Sequence, residues 1–187
     1  MVGKLFVLSG PSGVGKGTVR DNILKDKSIN LVFSISMTTR KPRDGEIDGV
    51  HYYFVTNEYF EEEIKKGEFL EYAKFVNNYY GTPKKAIEKL LNSGKNVLLE
   101  IEVQGAKQVM EKCKDAITIF MMPPSFEELE KRIRGRRSEP EEIVQERLNK
   151  AKSEMQEKVK YKYVVLNDTV ENASSAIIKI IHDESNK

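Results

Sequence analysis

Apolar residues along this chain gather into short runs separated by stretches of helical spacing. Five runs rich in aliphatic and β-branched residues predict strands: "LFVLS" (5–9), "LVFSIS" (31–36), "NVLLEIE" (96–102), "AITIFMM" (116–122) and "YKYVVLN" (161–167). Their near-continuous apolar character is that of strands covered on both faces. Between most of them the spacing predicts amphipathic helices over 17–25, 104–112, 125–134 and 141–158, with 173–182 closing the chain. This alternation predicts an α/β fold, a parallel five-stranded sheet flanked by helices.

Two stretches break the rhythm. Residues 37–83 are rich in Tyr, Phe and charge, and read as a small mixed insert with its own strands and a helix over 58–66. Residues 126–150 carry "KRIRGRRSEPEE", whose charge, Gly135 and Pro140 suit a mobile flap.

Composition changes this picture little. The 187 residues suffice for one sizeable core, and 39% are hydrophobic. Against 31 basic stand 29 acidic residues, so the +2 net charge makes no general case for nucleic acid or an anionic membrane. Cys113 is the single cysteine, which excludes an intrachain disulfide and a cysteine-based metal cluster. The apolar start is too short and too soon punctuated for a signal peptide, and no run approaches the roughly 20 apolar residues of a membrane span. The expected location is cytoplasmic.

The chemistry begins at "GPSGVGKGT" (10–18), directly behind the first strand. It follows the phosphate-loop pattern G-x-x-x-x-G-K-[ST] except that Gly17 stands where a hydroxyl would meet Mg²⁺, with Thr18 one residue late. Glycines at 10, 13 and 15 let backbone N–H groups approach phosphate oxygens, and the following helix offers its positive end. The alternative is a glycine-rich turn. Without a hydroxyl at 17, Mg²⁺ would rest on phosphates, waters and Thr18, which a cation of few protein ligands tolerates. The spelling "GKGT" resembles that of nucleoside monophosphate kinases.

An acceptor site is legible further on. Arg40 and Arg43 flank Lys41-Pro42, an extended or turn link that could bring both guanidinium groups onto one phosphate. Tyr52 and Tyr80 could add hydroxyl donors; a merely solvated basic loop is the alternative. Glu71 in "FLEYAKF" sits among aromatic neighbours, where an unpaired carboxylate is costly. Guanine presents adjacent N1–H and N2 donors that a carboxylate matches, and adenine does not. An outward-facing glutamate is the alternative there.

"FSISMTTRKPRDGEIDGVHYYFV", "FLEYAKFVNNYYGTP", "LLEIEVQGA" and the phosphate loop, in this order, resemble guanylate kinase from Leu5 to about Asn167. The resemblance implies a P-loop NTPase core of residues 1–33, 84–124 and 155–187, a GMP-binding insert of 34–83 and a helical lid of 125–154. It implies the reaction ATP + GMP → ADP + GDP with Mg²⁺. Gly10, Pro11, Ser12, Gly13, Val14, Gly15, Lys16, Gly17 and Thr18 would bind ATP, with Asn167 near adenine. Ser36, Glu71 and Thr82 would read guanine with help from Glu102, and Arg40, Arg43, Tyr52 and Tyr80 would hold the GMP phosphate. Thr82 replaces a common serine and Glu102 a common aspartate, which leaves open whether Glu102 meets the base or metal-bound water.

Glu100 and Glu102 end a buried strand, two residues apart and so on one face. A carboxylate beside a phosphate loop suits water-mediated Mg²⁺ binding, expected here of Glu100 with Thr18; a structural ion pair is the alternative. Arg132 and Arg136 are one helical turn apart, with Arg147 on the next helix. The resemblance implies that on lid closure these three would join Lys16 and Arg40 in offsetting charge on the transferring phosphoryl group; a basic helix face that only repels aggregation is the alternative, and the better one without the resemblance. Arg134 and Arg137 read as solvated lid charges. No titrating base is required, because this chemistry depends on positioning and on exclusion of water.

Two rivals accompany this reading. A guanylate-kinase-like interaction module would keep the fold without the chemistry; Lys16, Arg40, Arg43 and the lid arginines oppose it, as does the expected lack of flanking domains. A kinase of the same fold with another acceptor is opposed by Glu71. RNA binding by "RIRGRR" lacks a recognisable module. The expected partners are ATP and GMP or dGMP, without nucleic acid or membrane, for a monomer or homodimer.

Overall fold

The computed structural model describes residues 2–75, 77–135 and 140–187. In chain order the elements are β1 (Leu5–Ser9), α1 (Lys16–Ile23), β2 (Leu31–Phe33), β3 (Met37–Thr38), β4 (Tyr53–Phe54), α2 (Asn57–Lys65), β5 (Phe69–Phe75) and β6 (Asn78–Pro83). There follow α3 (Lys84–Asn92), β7 (Asn96–Glu100), α4 (Val103–Lys112), β8 (Ile117–Met122), α5 (Phe126–Arg134), α6 (Glu141–Gln156), a 3₁₀ turn (Glu157–Lys160), β9 (Tyr163–Leu166) and α7 (Val170–Ser185).

The main sheet has the order β2-β7-β1-β8-β9, and every neighbouring pair is parallel. The apolar runs resolve into two alternating sets. Phe6 and Leu8 of β1, Leu98 of β7 and Ile119 and Met121 of β8 face one side, against Val19 and Ile23 of α1 and Ile177 and Ile181 of α7. Leu5 and Val7, Val97 and Leu99, and Phe120 face the other, against Ala106 and Val109 of α4 and Ile87 of α3. Burial on both faces is what an all-parallel sheet requires. Helices α2, α5 and α7 start on side-chain caps: the hydroxyls of Thr56, Ser125 and Thr169 accept from the N–H groups of Tyr59, Glu128 and Asn172.

A second sheet, β4-β3-β6-β5, is built wholly between residues 37 and 83. Its β3–β6 and β6–β5 pairs are antiparallel, and Phe60 of α2 stacks between Phe69 and Tyr79 beneath it. Helices α5 and α6 insert Leu129, Ile133, Val144, Leu148 and Ala151 into the main core, so the segment read as a flap is anchored through its apolar face.

Two expectations need correction. The run 31–36 pairs only to Phe33, because after Ser34 N–H donates to Leu98 O the chain leaves for the second sheet. Strand β7 ends at Glu100. Glu102 is the N-cap residue of α4, its carbonyl accepting from Ala106 N–H, so Glu100 and Glu102 do not share a strand face.

Candidate active site

The turn from β1 into α1 is a backbone cradle. Gly15, the N-cap of α1, has φ 100°, and Gly13 has φ 86°, conformations that side chains disfavour. Space is also lacking: a Cβ on Gly15 would lie 2.8 Å from Asn167 Nδ2, and one on Gly13 2.8 Å from Ile133 Cγ1. Lys16 Nζ curls over the loop, donating to Gly10 O at 2.7 Å and Pro11 O at 3.2 Å. Burial pushes the Lys16 pKa down, while Glu100, Glu102 and Glu154 pull it back up. Arg147 of α6 reaches the same loop, its Nη2 donating to Ser12 Oγ at 3.4 Å. A cavity of about 360 Å³ opens here, lined by Ser12, Lys16, Gly17, Thr18, Glu100 and Glu102 among others.

On the outer side of the loop lies a cavity of about 390 Å³, lined in part by Gly13, Gly15, Thr18, Arg132 and Asn167. Asn167, just past β9, is buried and ties the loop to the end of β8: its Nδ2 donates to Val14 O at 2.7 Å and its backbone N–H to Met122 O at 2.8 Å. Arg132 donates to Val14 O at 3.3 Å, to Asn167 O at 3.4 Å and to Glu128 at 3.2 Å. Arg136 and Arg137 lie outside the described residues. Arg134, read as a solvated charge, is exposed; it pairs with Glu130 on its own helix and with Glu141 at the start of α6, each at 2.7 Å.

A third cavity, of about 280 Å³, separates the second sheet from the ends of β7 and α4, and Ser36, Tyr52, Glu71, Tyr80, Glu102 and Lys150 are among its lining residues. Glu71 is only 5% exposed. Opposite it in the β5–β6 ladder, beside a register shift, Thr82 donates its hydroxyl to Glu71 Oε1 at 2.6 Å. Burial pushes the Glu71 pKa up, opposed by the Thr82 hydrogen bond and the charge of Lys112. Gly105, in the first turn of α4, is what leaves room for this carboxylate: a methyl group there would overlap Glu71 Oε2.

Arg40 stands at the rim. Its Nη2 donates to both oxygens of Glu46, at 2.8 and 2.9 Å, and its guanidinium lies 5.5 Å from the Tyr52 ring centroid and 5.8 Å from that of Phe54. The Arg40 bond, with the Arg43 N–H, holds the Glu46 pKa down to about 2. Tyr52 and Tyr80 meet edge to face, centroids 6.1 Å apart. Arg43 is exposed, and Arg40, Arg43 and Thr82 are outside the cavity's own lining; Thr82 stands behind Glu71.

Both acids at the β7–α4 junction form ion pairs. Glu100 Oε2 accepts from Arg20 Nη1 at 2.7 Å, and Glu102 Oε2 from Lys150 Nζ at 2.8 Å. Lys150 also lies 3.7 Å from the buried Glu154. Sequence reading missed Arg20, Glu46, Gly105 and Lys150. A signal existed for Lys150, one turn beyond Arg147 on α6, and for Glu46 inside "RKPRDGE".

The guanylate kinase family model matches residues 2–184. A guanylate kinase of Latilactobacillus sakei is 53% identical over 182 residues, which are 97% of this chain and 90% of that protein. One of Mycoplasma capricolum is 52% identical over 97% of this chain, which spans only 61% of that relative's length. A crystal structure of guanylate kinase from Anaplasma phagocytophilum superposes with a TM-score of 0.79 at 37% identity, covering 100% of this chain and 88% of that one. With two cavities on the phosphate loop, a third sharing Glu100 and Glu102 with one of them, and a match running nearly end to end, the chain belongs to the guanylate kinase family.

Proposed function

We propose that the chain transfers the γ-phosphoryl group of ATP to GMP, giving ADP and GDP. The observation that carries this is Glu71, a buried carboxylate in the wall of a cavity beside the phosphate loop, oriented by Thr82. Its two oxygens suit guanine N1–H and the N2 amine; adenine offers no such pair of donors and would leave the buried carboxylate with Thr82 alone. Ser36, Thr82 and Glu102 complete the base site in this reading. Arg40, Arg43, Tyr52 and Tyr80 take the acceptor phosphate, for which Arg40 exchanges Glu46. None of these residues is assigned the 2′-hydroxyl, so dGMP serves as well.

The donor occupies the loop from Gly10 to Thr18, its triphosphate under Lys16 and its adenine towards Asn167. Arg132, Arg136 and Arg147 supply positive charge to the phosphates, where aligned cations stabilise developing charge without reorganising. In this account residues 1–33, 84–124 and 155–187 are the core, 34–83 carry GMP and 125–154 close over the donor. Closure excludes water, which would otherwise accept the phosphoryl group.

The donor set fits Mg²⁺. Glu100 Oε1 is directed to the space over Gly17, 3.8 Å from where a Cβ would stand, and Thr18 lines the same cavity. Both are hard oxygen donors, and among the described residues no group of three or more His, Cys, Asp or Glu offers a full protein cage. The ion would therefore keep its waters, with Glu100 and Thr18 holding them. When bound, Mg²⁺ neutralises charge on the β- and γ-phosphate oxygens.

No described helix is long and apolar enough to cross a membrane. Purine nucleotide recycling in the cytoplasm, by a monomer or homodimer, suits this reading. Coupled detection of ADP with ATP, Mg²⁺ and GMP tests it; ADP release that GMP does not stimulate would refute it.

A further inference from the structure

Gly17 leaves the phosphate loop without the hydroxyl that usually follows its lysine. Two charged groups border the vacated space: a Cβ on Gly17 would stand 3.8 Å from Arg20 Nη2 and 3.8 Å from Glu100 Oε1. Arg20 follows Gly17 by three positions on α1, so both occupy one helix face. Its guanidinium is held on three sides. Nη1 donates to Glu100 Oε2 at 2.7 Å, Nη2 and Nε donate to Asp21 Oδ1 at 2.7 and 2.9 Å, and the group lies 4.7 Å above the Phe33 ring centroid.

The Arg20 and Glu100 side chains are 25% and 17% exposed, unlike the solvated pairs that contribute little. One carboxylate oxygen is thereby anchored, and the other is directed to the cavity over the phosphate loop. We propose that Arg20 is a positioning residue that fixes Glu100 towards a divalent cation and so compensates for the missing loop hydroxyl. This rests on the reading of Glu100 as a holder of metal-bound water. Because a guanidinium also offsets the carboxylate's charge, the contribution of Arg20 is orientation, and a planar, stacked group suits that better than an ammonium.

The test is Mn²⁺ binding to the protein–ADP complex, read from the electron paramagnetic resonance of free Mn²⁺, with thermal unfolding followed in parallel. Arg20→Met and Glu100→Gln should each weaken Mn²⁺ binding about 10-fold, as loss of a partner behind a ligand does. ADP affinity without metal should stay unchanged. Arg20→Lys should recover part of the loss, and Gly17→Ser added to Arg20→Met should recover most of it. Glu100→Gln weakened beside an unchanged Arg20→Met would overturn the role of Arg20 alone. An unchanged Glu100→Gln would overturn the reading of Glu100 beneath it. A serine that restores nothing would overturn the compensation.

Discussion

Thr82 Oγ1 lies 2.6 Å from Glu71 Oε1, donating to a carboxylate in the wall of the cavity assigned to GMP. The hydroxyl both orients the acid and offsets part of the cost of burying it. Glu71→Gln replaces an acceptor with an N–H donor facing donors. Its expected effect is a loss of about 1–3 kcal/mol in kcat/KM for GMP, roughly 5- to 150-fold, at unchanged ATP affinity. Steady-state kinetics with each substrate varied in turn checks it.

Burial raises the Glu71 pKa above its ordinary 4.5. Guanine needs the ionised form, so kcat/KM for GMP should fall as pH is lowered through the raised value, and Glu71→Gln should lack that limb. The folded state holds this proton more tightly than the unfolded chain. Glu71 therefore lowers stability as pH rises from 4.5 through its folded pKa, and the penalty is absent in acid. Chemical denaturation at several pH values should show Glu71→Gln relieving it at neutral pH.

Gly105→Ala should separate acceptor binding from helix stability. Alanine favours the helical backbone by up to about 1 kcal/mol over glycine. Its methyl group would nevertheless displace Glu71 Oε2. The expected outcome is a higher KM for GMP in a protein whose far-ultraviolet circular dichroism is unchanged.

Asn167→Ala removes the 2.7 Å bond to Val14 O from the donor side. Val14 O then keeps only the longer 3.3 Å bond from Arg132, so the loss should fall at or below the roughly 1 kcal/mol of an ordinary hydrogen bond. Titration with ADP should show weakened binding while the KM for GMP holds.

Glu184 of α7 accepts from Lys162 at 2.7 Å, from Tyr163 at 2.6 Å and from Lys187, which together hold its pKa at about 2. The stability it supplies is complete above its ordinary 4.5 and is lost as pH falls through about 2. Glu184→Gln should lower the melting temperature at pH 7, and the difference from the parent should shrink towards pH 2.

The main sheet was legible because β1, β7 and β8 are apolar on both faces, a pattern few other environments explain. Strands β3 and β4 have two residues each, too few for any period to register. Gly10 to Thr18 could be read as a phosphate cradle because its glycines and lysine fall in one contiguous motif, although its packing partners Ile133 and Asn167 are distant in sequence. Gly105 against Glu71, Lys150 against Glu102 and Arg20 against Glu100 could not, since each pairs positions that only the fold makes neighbours. The strand seen in "LLEIE" overran by two residues for the opposite reason: Ile101 stays apolar and buried although helix α4 has begun to organise around Glu102.

The central claim is that the cavity holding Glu71 selects guanine for phosphorylation. Its most direct test is ADP formation from ATP and Mg²⁺ with GMP, dGMP, AMP, CMP and UMP offered separately. The account predicts turnover with GMP and dGMP, kcat/KM for AMP lower by roughly 10⁴-fold, and a fall of that ratio in Glu71→Gln by at least the roughly 5- to 150-fold lost on GMP. Equal use of AMP, or a ratio that survives Glu71→Gln, would contradict it.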